Sequence, residues 1–303
     1  MTPQKPQTVG FIGIGSMGRP MSRCLAQAGF TVTLNDVDQA GGKAHAQSIG
    51  AKWASTPAEA AKEADVVITM LPNSQIVEHV LSQEDGVLST LRAGAVVIDM
   101  SSSIPAHTQR LAQVVEQAGG VLVDAPVSGG VSRAETGSLA IMAGGPADAI
   151  DHVEPVLQAM GSSVLRTGTV GSAHAMKALN NLVSAGGFLI GIEALMIGQR
   201  FGLDPDMMVD VLNASTGMNN SSQKKFKQYV LSRQFNSGFG LDLMVKDLTI
   251  ATGLATDSQT PAPFAMLCRE LWAASAGLLG PGEDHTAVAK LVERLAQTEL
   301  RPD

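Results

Sequence analysis

The sequence predicts an α/β protein with a doubly wound, mostly parallel sheet in its N-terminal half. An all-α C-terminal domain, joined to the sheet domain by a long helix, is predicted to follow. Short β-branched runs alternate with amphipathic helical patterns from Thr8 to about Arg166, and strand signals stop after Gly168. A chain of 303 residues has room for about two domains. We place the boundary near Thr167, with one domain over residues 1–167 and the other over residues 168–303.

Nearly continuous apolar runs in the N-terminal half are typical of strands that are buried on both faces of a parallel sheet. They are TVGFIG, TVTLN, DVVITM, AVVIDM and VLVDA, and the piece SLAIMAGG adds a further strand. Helical patterns lie between the strands, among them PMSRCLAQAG and IPAHTQRLAQVVEQAG, and ADAIDHVEPVLQAM follows the last one.

The C-terminal half is predicted to be helical from Ala173 nearly to the end. Breaks are expected at GLDPD, TGMNN, NSGFG, TPAPF and GLLGPGED, and the stretch from Ala173 to Arg200 reads as one unusually long helix. Its most apolar part, Leu182 to Gly198, contains Glu193 and four glycines, so we predict a buried helix and no membrane span. The glycines suggest close packing against another helix across the interface of a homodimer or homotetramer.

Composition excludes several classes of function. A net charge of −7, with aromatic residues at 4%, argues against a nucleic-acid partner. Cys24 and Cys268 lie far apart in apolar helical contexts, which predicts buried thiols and no disulfide. The six histidines show no metal-ligand spacing, so no metal site is predicted. The start of the sequence, MTPQKPQ, lacks the features of a secretory signal, which favours a cytoplasmic protein.

A glycine-rich turn after the first strand predicts a dinucleotide site. Gly13 permits the tight turn, Gly15 lets the backbone approach a pyrophosphate, and Gly18 allows the following helix to pack close to the strand. The second strand ends in Asn35 and Asp36, and Asp36 is placed to accept hydrogen bonds from a ribose 2′-hydroxyl. Because no Arg or Lys occurs in the next six residues, we expect NAD rather than NADP. The predicted cofactor-binding residues of this region are Gly13, Ile14, Gly15, Ser16, Met17, Gly18, Asn35 and Asp36.

Two later strand ends are predicted to face the same ligand, because ligands of open α/β sheets bind outside the carboxyl ends of the strands. One carries Leu71 and Pro72, and a strand that ends in Leu-Pro cannot run straight into a helix. The other carries Asp99 and Ser102, of which Asp99 could equally be an ordinary turn residue. We assign Leu71, Pro72 and Ser102 to the cofactor.

At this point the sequence resembles the β-hydroxyacid dehydrogenases, the group of 3-hydroxyisobutyrate dehydrogenase and tartronate semialdehyde reductase. The resemblance covers nearly the whole chain and implies an N-terminal Rossmann domain, an all-α C-terminal domain and reversible NAD(P)-linked oxidation of a short 3-hydroxy acid. The segments that carry it are FIGIGSMGRPM, ITMLPNS, IDMSSSIP, DAPVSGG, GSAHAMKALNN and LMVKDL.

The resemblance also implies a set of catalytic and substrate-binding residues. Lys177 matches the family's catalytic lysine, and Asn181 lies four residues later on the same face of the helix. A lysine in this apolar helix is expected to have a lowered pKa, because burial disfavours the charged ammonium. Ser128, Gly129 and Gly130 are similar to the family's substrate-carboxylate site. The Lys246-Asp247 pair implies a lysine near the cofactor or substrate and a carboxylate that orients lysines, although Asp247 could also belong to an ordinary charged helical pair.

Three alternatives stay open from the sequence. One is a reductase of tartronate semialdehyde or a related small aldehyde acid, and another is an imine-reducing relative. The third, of a different class, is a non-catalytic dinucleotide-binding sensor, which would have no need of a proton-transfer lysine. The segment from Ser215 to Asn220 departs from the Ser-Ser-Gly-Arg-Cys-Trp type of segment in 3-hydroxyisobutyrate dehydrogenase. That departure predicts a more polar or differently shaped substrate pocket.

Overall fold

The computed structural model describes residues 7–301. The chain divides into two compact units, the first ending at Lys177 and the second beginning at Ala178. The division falls inside one long helix, which starts in the first unit and continues in the second. The boundary near Thr167 stays a prediction of the sequence.

The first unit contains a mostly parallel sheet that has nine strands within the described residues. The strand order is β3-β2-β1-β4-β5-β6-β8-β7, with β9 paired to β8. The order reverses between β1 and β4, which is the point where open α/β sheets bind ligands. The strands are β1 (Thr8–Ile12), β2 (Thr31–Asn35), β3 (Lys52–Trp53), β4 (Val66–Thr69), β5 (Val96–Asp99), β6 (Val121–Asp124), β7 (Val127–Ser128), β8 (Leu139–Gly144) and β9 (Gly161–Gly168).

The central strands are apolar along their length because the sheet is covered on both faces. In β4, Val66 and Ile68 belong to one buried cluster and Val67 to another, and β5 repeats the alternation with Val96 and Val97. The sequence therefore reads as a continuous apolar run, although successive side chains enter two different layers of the core. This confirms the predicted fold class.

Most helices of the first unit start at polar caps or prolines that the sequence provides; α1 and α6 start without either. The side chains of Asp38, Thr56 and Asn73 accept hydrogen bonds from backbone N–H groups in the first turns of the helices that follow them. The helices are α1 (Gly18–Gln27), α2 (Gln39–Ile49), α3 (Pro57–Ala61), α4 (Ser74–Ser82), α5 (Pro105–Gln117), α6 (Gly130–Glu135) and α7 (Ala147–Met160), with a 3-10 turn at Val87–Ser89.

The second unit consists of helices around an aromatic core. Phe188 contacts Phe226 and Trp272 edge to face, with ring centroids 5.4 and 5.9 Å away. The long helix is α8 (Ser172–Phe201), and after it come α9 (Pro205–Asn213), α10 (Asn220–Lys224), a π-helical turn (Phe226–Leu231), α11 (Leu241–Asp257), α12 (Pro263–Leu279), a 3-10 turn (His285–Val288) and α13 (Ala289–Ala296).

Two details depart from the sequence prediction. The segment Gly161–Gly168 forms β9, parallel to β8, although its polar and mostly exposed side chains carry no strand pattern. Strand β8 itself runs antiparallel to β6 and β7. Each predicted break in the C-terminal half includes a junction between helices, although most of them overlap the end of a helix by one to three residues.

The glycines of α8 serve packing within the second unit. A Cβ added at Gly191 would lie 2.5 Å from the Phe226 ring, and one at Gly198 would lie 2.2 Å from Met208. Added at Gly186, a Cβ would meet Phe264 at 3.1 Å. Other segments of the same chain thus approach α8 closely at these glycines, and the interface of a homodimer or homotetramer stays a prediction of the sequence.

By length and hydropathy alone, α8 could cross a membrane, and among the described residues it is the one helix that could. Just over half of its most apolar window, 56%, is buried against the rest of the chain.

Candidate active site

The glycine loop between β1 and α1 has the conformation that a bound pyrophosphate needs. Gly13 has φ +93°, and a Cβ there would lie 2.4 Å from the Met70 carbonyl oxygen. A Cβ on Gly18 would lie 2.0 Å from the Gly13 carbonyl oxygen, so only glycine lets α1 start this close to the strand.

The same loop is open at its centre. Gly15 and Ser16 are exposed, Met17 is half-buried, and nothing lies within 4 Å of a Cβ added at Gly15. No side chain caps the start of α1, while the Arg19 N–H donates to the Gly15 carbonyl oxygen at 3.1 Å. Open backbone at Gly15, beside the uncapped start of a helix, fits the phosphates of a dinucleotide.

The carboxylate of Asp36 lies beside this loop, at the end of β2. One of its oxygens accepts from the backbone N–H of Ile14 at 2.7 Å and the other from the N–H of Asp38 at 2.8 Å. The preceding residue, Asn35, is buried, and its side-chain amide donates to the Ala54 carbonyl oxygen at 3.1 Å. The structure thus brings Asp36 to the loop and gives the Asn35 side chain a partner on the neighbouring edge of the sheet.

A cation near Asp36 escaped the sequence reasoning. Arg19, in the first turn of α1, reaches the Gly41 carbonyl oxygen at 3.3 Å and the Asp38 carboxylate at 3.7 Å. The six residues that follow Asp36 in sequence contain no such cation, and this arginine comes from the preceding helix. A signal was present, because Arg19 directly follows the glycine motif.

A buried carboxylate organises the loops after β4 and β5. Asp99 accepts hydrogen bonds from the Thr69 hydroxyl at 3.0 Å and from the Ser103 hydroxyl at 2.7 Å. The N–H of Ser101 also donates to Asp99, while the Ser101 hydroxyl accepts from the N–H of Leu71 at 2.9 Å. The predicted contacts Leu71, Pro72 and Ser102 lie in the two loops that this network ties together.

A second buried carboxylate fixes the start of α8. Asp124 accepts from the backbone N–H groups of Gly171, Ala173 and His174 at 2.8, 2.9 and 3.0 Å. Burial raises the pKa of the Asp124 carboxyl. In the sequence Asp124 is only one residue of the DAPVSGG motif, and nothing there connects it with a helix that begins almost fifty residues later.

His174 lies between the two buried carboxylates. Its Nδ1 is 2.8 Å from the Thr108 hydroxyl, and its Nε2 is 3.7 Å from the Asp99 carboxylate. The side chain is fully buried. His174 is thus a buried, hydrogen-bonded side chain, and Lys177 lies one turn farther along α8.

The segment after β7 exposes backbone in a conformation that glycine favours. Gly129 and Gly130 have φ +135° and +69° and are exposed, while Ser128 is half-buried. A Cβ added at Gly129 would lie 2.6 Å from the Arg133 side chain. The hydroxyl of Ser128 and the following N–H groups can therefore approach a small anion such as a carboxylate.

Lys177 is buried, with 9% of its surface exposed, although it is a lysine on a helix. A buried lysine on a helix is uncommon, because lysines usually extend their ammonium to solvent. Asn181 follows one turn later on α8 and is equally buried. The two polar side chains thus share one face of the helix.

In the second unit, Asp247 holds Asn181 in place. The Asn181 amide donates to Asp247 at 2.6 Å and its carbonyl oxygen accepts from Asn180 at 3.2 Å. Asp247 is buried, and the Lys246 ammonium lies 3.6 Å from its other oxygen. The sequence did not predict that Asp247 orients Asn181, since the family resemblance implied lysines as the partners of Asp247.

The segment that departs from the family pattern contributes a helix cap. Asn219 accepts hydrogen bonds from the N–H groups of Ser221 and Ser222, and the Ser222 hydroxyl accepts from the Asn219 N–H. A Cβ added at Gly187 of α8 would lie 3.6 Å from the Asn219 amide.

Among residues 7–301, no group of three or more histidine, cysteine or acidic side chains could hold a metal ion.

Comparison with known families divides the chain between two family models. A model described as the NAD binding domain of 6-phosphogluconate dehydrogenase matches residues 8–170. A second, described as the NAD-binding of NADP-dependent 3-hydroxyisobutyrate dehydrogenase, matches residues 171–292.

Individual relatives agree with this assignment over almost the whole chain. A 2-(hydroxymethyl)glutarate dehydrogenase from Eubacterium barkeri is 34% identical and covers 96% of this chain and 97% of its own. The mitochondrial 3-hydroxyisobutyrate dehydrogenase of Mus musculus is 38% identical over 87% of this chain and 80% of its own. The solved structure of Mycobacterium tuberculosis 3-hydroxyisobutyrate dehydrogenase with L-serine is 30% identical, with a TM-score of 0.87, covering 94% of this chain and 99% of the other.

The glycine loop, the carboxylate after β2 and the lysine on α8 therefore occur in a chain that matches dehydrogenases and reductases over most of its length. The chain belongs to the β-hydroxyacid dehydrogenase family, the NAD(P)-binding oxidoreductases that act on hydroxy acids.

Proposed function

We propose that this protein transfers a hydride reversibly between NAD and a short 3-hydroxy acid, with Lys177 as the general acid and base. The observation that carries the proposal is the pairing of two buried polar side chains, Lys177 and Asn181, one turn apart on α8. Asp247 fixes the Asn181 amide. A protein that only senses a dinucleotide has no use for a buried lysine in this setting.

The substrate class follows from the compounds named for the relatives. 3-Hydroxyisobutyrate, 2-(hydroxymethyl)glutarate and L-serine all carry a hydroxymethyl group on the carbon next to a carboxylate. Ser128, Gly129 and Gly130 would hold that carboxylate through one hydroxyl and exposed backbone N–H groups. We propose a substrate with the same core, whose remaining substituent is set by a pocket of altered composition near Ser215–Asn220.

In the oxidative direction, the neutral amine of Lys177 accepts the proton of the substrate hydroxyl at Nζ. Asn181 holds the same hydroxyl, because its amide is kept in one orientation by Asp247 and Asn180. When bound, the nicotinamide supplies the acceptor for the hydride that leaves the hydroxyl-bearing carbon. In reduction Lys177, now protonated, returns its proton to the carbonyl oxygen. Lys246 would lie near the cofactor or substrate and add positive charge.

The preference for NAD over NADP is attributed to Asp36. Its carboxylate is held beside the glycine loop by the Ile14 N–H, and its charge repels a 2′-phosphate while accepting bonds from a 2′-hydroxyl. Gly13, Ile14, Gly15, Ser16, Met17 and Gly18 would carry the pyrophosphate, with Leu71, Pro72 and Ser102 along the rest of the cofactor.

We also propose a homodimer or homotetramer in the cytoplasm, without a nucleic-acid or membrane partner. The supporting observation for the oligomer is an exposed apolar stripe along α8, since exposed apolar patches often mark protein–protein interfaces. Its members recur every seven residues, and Val183 is 77% exposed: Met176, Val183, Ile190 and Ile197. Light scattering at working concentration should give the mass of at least two chains, and the mass of a single chain would contradict this part of the proposal.

The test of the catalytic proposal replaces Lys177 and separates chemistry from cofactor binding. Lys177→Ala should lower turnover by about 10²- to 10⁴-fold, the usual contribution of a positioned acid or base. Its affinity for NADH, measured by fluorescence titration, should stay within about twofold, since general acid–base catalysis acts in the transition state.

Lys62→Ala is the matched control, because Lys62 is exposed on the first unit and lies outside the site. It should change neither turnover nor NADH affinity. Turnover by Lys177→Ala within about tenfold of the native rate would contradict the assignment of the general base.

A further inference from the structure

A cation, Arg19, lies next to the glycine loop and contacts the acidic residue Asp38. Arg19 belongs to the first turn of α1, directly after the last glycine of the loop. Its guanidinium contacts the Gly41 carbonyl oxygen at 3.3 Å and the Asp38 carboxylate at 3.7 Å. Gly41 leaves the space that this contact needs, because a Cβ there would lie 2.9 Å from the guanidinium.

Arg19 and Asp36 are linked through the same residue. The backbone N–H of Asp38 donates to the Asp36 carboxylate, whose other oxygen accepts from the Ile14 N–H of the glycine loop. The side chain of Asp38 faces Arg19. The guanidinium and the carboxylate that is assigned to the ribose 2′-hydroxyl therefore share Asp38 as a common neighbour.

The ion pair that occupies Arg19 is weak. Its two side chains are 40% and 62% exposed, and the closest atoms are 3.7 Å apart. Half-exposed pairs of this kind are screened by water and cost little to break. A ligand that brings a phosphate to this corner of the site would compete easily with Asp38 for the guanidinium.

We propose that Arg19 is a specificity-determining residue of this site, which contacts the 2′-phosphate of NADP and is counteracted by Asp36 and Asp38. The preference for NAD then results from two carboxylates that oppose a cation already in place. The inference rests on the proposed function, in which Asp36 accepts bonds from the ribose of NAD. Removal of the Asp36 charge should be sufficient to admit NADP, with no new basic residue.

The experiment measures dissociation constants for NADH and NADPH by fluorescence titration in five chains. They are the native protein, Asp36→Asn, Arg19→Gln, the double variant Asp36→Asn with Arg19→Gln, and the control double variant Asp36→Asn with Arg23→Gln. Arg23 is an exposed arginine one turn farther along the same helix, so the control removes the same charge. Competition by 2′,5′-ADP and by 5′-AMP isolates the contribution of the 2′-phosphate.

Asp36→Asn should tighten NADPH binding by about tenfold or more, and Arg19→Gln should remove that gain, as expected for one charge-assisted hydrogen bond. The Arg23→Gln control should keep the gain, and NADH affinity should differ by less than about twofold between the Asp36→Asn chains with and without Arg19. Equal loss of NADPH affinity from Arg19→Gln and Arg23→Gln, or no loss from either, would overturn the proposal.

Two further readings keep the test decisive. If Asp36→Asn does not fold, Arg19→Gln in the native background should still weaken the binding of 2′,5′-ADP and leave the binding of 5′-AMP unchanged. Equal affinity of the native protein and Arg19→Gln for 2′,5′-ADP would overturn the proposal. Failure of the native protein to bind NADH would contradict the proposed function itself. NADH binding without any Arg19 effect contradicts only this inference.

Discussion

Three buried carboxylates position the groups to which function is assigned. Asp99 ties together the loops after β4 and β5, and Asp124 fixes the start of α8. Asp247 orients the Asn181 amide. A buried carboxylate is costly unless it is fully hydrogen-bonded, and each of these accepts bonds from groups in the site or at its border. The polar residues that give the site its geometry are thus distinct from those that would touch a ligand.

Asp247→Asn tests this positioning role. The substitution keeps the shape but removes the charge from the hydrogen bond with Asn181, and bonds to charged groups are worth about 1.5–3 kcal/mol. We expect kcat to fall by about 10- to 100-fold, with NADH affinity little changed, in steady-state kinetics and fluorescence titration.

Asp242→Asn is the matched control for Asp247→Asn. Asp242 is exposed in the first turn of the same helix, α11, so its replacement removes one charge and keeps the hydrogen bond between Asn181 and Asp247. Similar kcat values for the two variants would show that Asp247 has no positioning role.

At the scale of elements, α8 is shaped by its glycines. Each of Gly186, Gly191 and Gly198 lets a side chain from another helix or turn approach the α8 backbone. The ring that lies over Gly191 is Phe226, which is fully buried and packs against Phe188. Glycine lowers the helix propensity of α8, but the absence of a Cβ lets the aromatic core pack close to the helix axis.

Gly191→Ala should therefore destabilise the protein although alanine favours helices. Its Cβ would lie 2.5 Å from the Phe226 ring, and overpacking of this kind costs about 1–3 kcal/mol. Gly253→Ala, in α11, meets nothing within 4 Å and should stabilise by about 0.5–1 kcal/mol. Urea unfolding measures both free energies, and a shift of the same sign in the two variants would contradict the packing account.

Most elements could be predicted because hydrophobic periodicity dictates them. The runs TVGFI, VVIT and VVID form β1, β4 and β5, because short apolar runs rich in β-branched residues are typical of strands buried on both faces. Strand β9 could not be predicted, because its half-exposed side chains follow no apolar pattern. Its strand conformation results from pairing with β8, which is a tertiary interaction.

The candidate site was predictable where a motif is local and unpredictable where it depends on the fold. Gly13, Gly15 and Gly18 could be read from spacing alone, since their roles are local turns and close approaches. The contact between Arg19 and Asp38 joins different elements, and so does the bond of Asp124 to the start of α8. Sequence neighbours carry no information about such contacts until the strand order is known.

At the scale of the molecule, each of the two units carries a different part of the residues to which the proposed reaction is assigned. The first carries the open glycine loop, Asp36, Ser128 and Lys177, and the second carries Asn181 with its partner Asp247. The family assignment covers both units, through one family model for each. A dinucleotide site alone would be sufficient for a sensor, whereas the proposed hydride transfer assigns a role to both sets of residues.

The most direct test of this account is the reduction of NAD by the purified protein, followed by nicotinamide absorbance, with a panel of 3-hydroxy acids. The panel contains 3-hydroxyisobutyrate, 2-(hydroxymethyl)glutarate, L-serine and matched 2-hydroxy acids. We predict turnover with at least one 3-hydroxy acid, faster with NAD than with NADP, and none with the 2-hydroxy acids. Tight binding of NADH without turnover of any 3-hydroxy acid would contradict the proposed reaction and favour a non-catalytic dinucleotide-binding protein.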